Sequence, residues 1–153
     1  MPDTRMKYLV VAVFAAALMV SPAHAVEFYK ASIEAIDGTG SSASGSAVII
    51  YDDQANELTY DISITGLGND ELAAHIHTAD GTIAHFLPAG PEKNGVWQGL
   101  GFGEIFQLRE GMLYILVHTE GNPGGEVRGE IIVGKVPVES LSVGKVKLRF
   151  SAD

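Results

Sequence analysis

The sequence predicts an all-β protein: one antiparallel domain folded as a Greek-key β-sandwich or barrel of seven to nine short strands. Three observations predict it. Eighteen glycines are spread through the 153 residues, and the runs between them have the length and apolar content of strands joined by tight turns. Leu58, Tyr60, Ile62 and Ile64 alternate with Thr59, Asp61, Ser63 and Thr65, which gives a strand one buried face and one wet face. Beyond residue 25, no stretch sustains the apolar period of about 3.6 residues that a helical bundle needs.

The N-terminus reads as a secretory signal peptide over residues 1–25. Arg5 and Lys7 precede an apolar run from Tyr8 to Val20, and Ala23 and Ala25 occupy the small-residue positions of a cleavage site. The apolar run is shorter than the roughly 20 residues of a spanning helix, and no later run is long enough, so no membrane span is expected. The chain is expected to be exported, to the periplasm or outside the cell. Val26 to Asp153 is then one domain's worth of chain. Residues 26–133 are expected to form the β-sandwich, and 134–153 a C-terminal strand or tail packed on it.

The strands follow in order. The first covers Glu27 to Ile36. Gly38 to Ser46 (GTGSSASGS) is a small-residue loop without the Gly-Lys-Ser/Thr ending of a phosphate loop. Ser46 to Tyr51 and Glu57 to Thr65 form a hairpin around a turn at Asp52 to Asn56. Its acidic residues are turn formers, because the Gly and closing Glu of a calcium loop are missing. Leu72 to Thr78 is a strand, followed by a turn at Ala79 to Gly81 and a strand near Thr82 to Leu87. PAGPEKNG is a loop. A strand surrounds Trp97 from Val96 to Leu100. Glu104 to Arg109 is a short helical turn or a loop. Met112 to Thr119 is a strongly apolar strand, GNPGG (Gly121 to Gly125) a tight turn, and Glu126 to Val133 the returning strand. Val146, Leu148 and Phe150 alternate with Lys147 and Arg149 in a last strand within Val136 to Phe150.

Charge and cysteine content remove several functions. The net charge of −9 argues against nucleic acid and anionic membranes as partners. The chain has no Cys, which excludes thiolate zinc sites, iron–sulfur clusters, thiol catalysis and a blue-copper centre. There is no G-x-S-x-G elbow. Any bound metal must be held by His and carboxylate.

Three of the four histidines beyond residue 25 fall within AAHIHTADGTIAHF, Ala73 to Phe86. His75 and His77, two apart on a strand, project from the same face and present two imidazoles of the kind that copper and zinc accept. His118 ends the apolar strand and approaches them if the two strands are neighbours. His85 lies at the far end of the segment after the pair. The alternative is that these histidines stand apart as polar groups of strands and turns. Glu120, Glu126 and Glu130 read as the wet side of a hairpin. Arg128 shares a face with Glu126 and reads either as a cross-strand ion-pair partner or as a cation beside the site that attracts an anion.

The motifs HIH at His75 to His77 and YILVHTEGNPGGEVRGEI from Tyr114 to Ile131 resemble the CHRD (chordin-type) domain, over a region from about Ala31 to Val133. The resemblance implies an extracellular β-sandwich and no defined general activity. A weaker resemblance is to copper/zinc superoxide dismutase. His75, His77, His85 in HFLP, His118 and Arg128 after GNPGG follow the order of that family's copper ligands, bridging histidine and copper-side arginine. The disulfide, the further zinc histidines and the zinc loop are absent, which leaves a copper-only or single-ion site.

Three functions follow as expectations. One is an exported binding module that holds copper, or less favourably zinc, through His75, His77 and His118, with His85 as a fourth or nearby ligand. The second is a structural domain that contacts another exported protein without metal. The third is a superoxide dismutase-like copper enzyme in which Arg128 attracts the anion.

Overall fold

The computed structural model of the protein describes residues 25–135. Residues 1–24 of the expected signal peptide and the expected last strand within Val136 to Phe150 lie outside the described residues. The elements are β1 (Val26–Ala35), β2 (Ser44–Asp52), β3 (Glu57–Thr65), β4 (Glu71–His77), β5 (Ile83–Phe86), β6 (Glu92–Gln98), α1 (Phe102–Arg109), β7 (Tyr114–Thr119), β8 (Val127–Glu130) and β9 (Ile132–Val133). No helix among them is long and apolar enough to cross a membrane.

All the strands join one antiparallel sheet in the order β5, β4, β7, β8, β1, β2, β3, β6, with β9 added beside β1. The strands from β1 to β3 form a meander. The chain then crosses to the far side for the β4–β5 hairpin, returns for β6, and crosses again through α1 to β7. The result is the expected all-β Greek-key arrangement, a barrel closed except at the seam between β5 and β6.

The alternation of side chains sets the inside of the barrel. Ile33, Ile49, Leu58, Ile62, Ile76, Ile115, Val117 and Val127 are fully buried and point to a common core. Alternate positions on β3, such as Asp61 and Thr65, are exposed. Each large aliphatic side chain withdrawn from water contributes about 1.5–3 kcal/mol before conformational entropy is subtracted.

The open seam is closed by side chains. His85 on β5 stacks on Trp97 of β6, ring centroids 5.1 Å apart and planes 11° from parallel. Below them Lys93 of β6, fully buried, bonds both oxygens of Glu71 on β4 at 2.7 and 2.8 Å. The PEKNG segment, expected as a loop, is therefore largely strand. Lys93 falls in that expected loop, and the reason it is buried is a partner more than twenty residues away.

One strand differs from expectation, and one open alternative is decided. The expected strand from Glu126 to Val133 is split: β8 pairs β7 and β1, while β9 pairs β1 further along, with Ile131 between them bonded to Leu113. The segment at Glu104 to Arg109 is helical, and α1 is anchored by Arg109, which bonds Glu27 on β1 at 2.5 Å.

Close approach of β8 to β1 depends on Gly129. A Cβ there would lie 2.6 Å from the Ser32 carbonyl oxygen and 2.8 Å from Ile33 Cγ1, and backbone cannot rotate away as a side chain does. Gly129→Ala is expected to destabilise the fold by about 3 kcal/mol, read as a lower urea midpoint. Gly103→Ala on α1 meets nothing within 4 Å and is expected to stabilise by about 0.5–1 kcal/mol. Equal midpoints for the two variants would sink this account of the β8–β1 contact.

Candidate metal centre

His75 and His77 face outward from β4, because Ala74 and Ile76 between them fill the core. β7 pairs with β4 and sets His75 opposite Leu116, His77 opposite Tyr114 and Ala73 opposite His118. His118 is therefore diagonal to His75 on the same outer face. The three rings converge: His75 and His77 centroids are 5.4 Å apart, His75 and His118 5.3 Å, His77 and His118 6.2 Å. One ligand atom from each lies within 4.8 Å of the others. Two nitrogens sharing an ion at about 2.1 Å stand about 3.4–4.2 Å apart, so small side-chain rotations bring the three to bonding distance.

The hydrogen bonds fix which nitrogens are available. His77 Nδ1 lies 3.0 Å from the Gly81 carbonyl oxygen, and His118 Nδ1 lies 2.8 Å from that of Pro123. A carbonyl only accepts, so both Nδ1 atoms carry a proton, and in the neutral imidazole it is Nε2 that holds the lone pair. His77 Nε2 is buried with no hydrogen-bond partner, and so is His75 Nδ1. Orphaned buried polar atoms are uncommon and costly, and here two of them sit together in one histidine cluster. Burial, and then the neighbouring His118 and His77, hold the His75 imidazole below its ordinary pKa, which favours the neutral form that can donate a lone pair.

The surroundings are aromatic. Tyr114 stacks on His77 at 5.2 Å with planes 10° apart. Phe86, opposite His75 on β5, makes a T-shaped contact with that ring, centroids 4.9 Å apart. The Arg128 guanidinium carbon sits 3.6 Å from the Tyr114 centroid, a cation–π contact. Arg128 also bonds Glu130 at 2.9 Å.

His85 is not brought into this cluster. It sits opposite Ile76 and so faces the inner side, where it packs between Trp97 and Tyr60. Burial lowers its pKa. Arg128 and Glu126 do not share a face. Gly125, at φ 126°, turns the chain before β8, and the Glu126 side chain is fully buried. Sequence reading did not find Tyr114, Phe86, or the Gly81 and Pro123 carbonyls. The two carbonyls belong to the ADG and GNPGG turns, but only the paired strands show that those turns reach back to histidines.

The family model described as CHRD domain matches residues 29–131. No curated protein and no solved structure matches the chain.

Proposed function

Because the chain belongs to the CHRD domain family, which defines a fold rather than a chemistry, we propose its function from the site: an exported domain that binds one transition-metal ion, copper ahead of zinc. The ligand atoms are His75 Nδ1, His77 Nε2 and His118 Nε2. The observation that carries this reading is the pair of buried, unpartnered nitrogens in a cluster where backbone carbonyls already set the tautomers of His77 and His118. Imidazole suits both metals, and the order of affinity among divalent ions places copper above zinc. Export rests on the N-terminal apolar segment and its cleavage site.

The test is elemental analysis of the purified protein after loading with copper or zinc and dialysis. Wild type is expected to retain about one ion per chain and His75→Ala/His77→Ala none, while His85→Ala retains its ion. If wild type and the double variant are equally empty, the histidines are polar groups of a sheet and the domain is read as a protein-interaction module.

Arg128, stacked over the tyrosine that covers His77, favours a second reading, a copper enzyme that removes superoxide. The net charge of −9 opposes long-range attraction of an anion. A rate of superoxide removal no greater than that of the same copper free in solution rejects this reading.

A further inference from the structure

We propose that the three-histidine site takes a monovalent, cuprous ion in preference to any divalent one; the inference rests on the metal-site reading above. The argument is one of uncompensated charge. Among the described residues the cluster consists of three imidazoles and no carboxylate. The groups that fix His77 and His118 are neutral carbonyls, of Gly81 and Pro123, where a carboxylate in that position would supply negative charge. Glu130 is engaged by Arg128, and that arginine places its own positive charge over Tyr114.

His75 and His77 are only 8% and 6% exposed and His118 is half-buried, so water does little to offset a charge at the His75 and His77 nitrogens. A divalent ion held by neutral donors keeps its full double charge there. The cost of removing an ion from water grows as the square of its charge, so it is about fourfold larger for a divalent ion than for a monovalent one. Copper is the imidazole-binding metal with a stable monovalent state, and three neutral nitrogens among aromatic rings satisfy it without an anion. Zinc in a three-histidine set takes a water as well, and the Phe86 ring packed against His75 crowds that side of the site.

The experiment is a pair of competition titrations on the protein. Cuprous ion is titrated without oxygen against a chromophoric cuprous chelator. Cu(II) and Zn(II) are titrated against chelators of known strength. Cuprous ion is expected to bind at least about tenfold more tightly than either divalent ion. Phe86→Glu, at a position 70% exposed and directly opposite His75, adds the missing carboxylate without disturbing the core. It is expected to narrow that ratio by about tenfold, chiefly by strengthening divalent binding. Divalent binding as tight as cuprous binding in wild type overturns the proposal and leaves the metal site standing. Binding of no ion in either state overturns both.

Discussion

Glu126→Ala is expected to lower folding stability by about 3–5 kcal/mol, more than any substitution among the metal-site residues. The Glu126 carboxylate is fully buried. It accepts hydrogen bonds from the Ser41 and Thr119 hydroxyls at 2.6 Å each and from the Gly68 amide at 2.8 Å. These donors come from three separate segments, so one side chain pins the loop after β1 and the loop after β3 to the β7–β8 turn. Removing it strands the Gly68 amide, which cannot rotate toward another acceptor. The measurement is a urea unfolding curve with amide exchange at Gly68. A loss under about 1 kcal/mol with Gly68 still protected would mean the loops are held by something else.

The same group predicts an acid response. Burial raises the Glu126 pKa, but the hydrogen bonds from Ser41, Thr119, Gly68 and Asn122 together outweigh it, and the net shift is below the ordinary 4.5. A carboxyl with a depressed folded-state pKa contributes stability above its unfolded value. That contribution is lost as pH falls from about 4.5 through the folded pKa. The acid limb of the stability profile is therefore expected to be shallower in Glu126→Gln, which has no proton to gain there. Parallel profiles in the two proteins would show that other carboxyls, such as Glu27 paired with Arg109, carry the whole response.

The second large effect is at Lys93. Lys93→Met is expected to cost about 3–5 kcal/mol, because it leaves the Glu71 carboxylate nearly buried without its cation. The ammonium also bonds the Pro88 and Gly90 carbonyl oxygens at 3.1 and 2.5 Å, which ties the loop between β5 and β6 to the barrel seam. Lys93→Met/Glu71→Leu is expected to recover most of the loss, since an apolar pair of similar volume carries no desolvation penalty. A double variant no more stable than the single one would show that the carbonyl contacts, and not the ion pair, hold the seam.

The histidine cluster shows how far a linear reading reaches. His75 and His77 share a face because side chains alternate on any strand, and that follows from spacing alone. His118 joins them only because β7 pairs with β4 in a register that puts it diagonal to His75. His85 carries the same side chain and lies nearer in sequence, yet it faces inward. It pairs with Ile76, and a register shift between Ile76 and His77 breaks the simple count of positions. Glu126 and Glu130 are both acidic and both near β8, but Gly125 turns one into the interior while the other stays on the outer surface.

From its sequence alone this protein is an all-β domain with identifiable strands and turns and a two-histidine motif on one strand face. These properties are local: period-two alternation, glycine at turns and an apolar strand ending in histidine depend on neighbours a few residues away. Tertiary structure alone decided which histidines meet, which carbonyls set their tautomers, and which charged side chains, Lys93 and Glu126, lie buried. Those outcomes depend on pairing register between strands distant in the chain, where a shift of one residue turns a side chain to the opposite face.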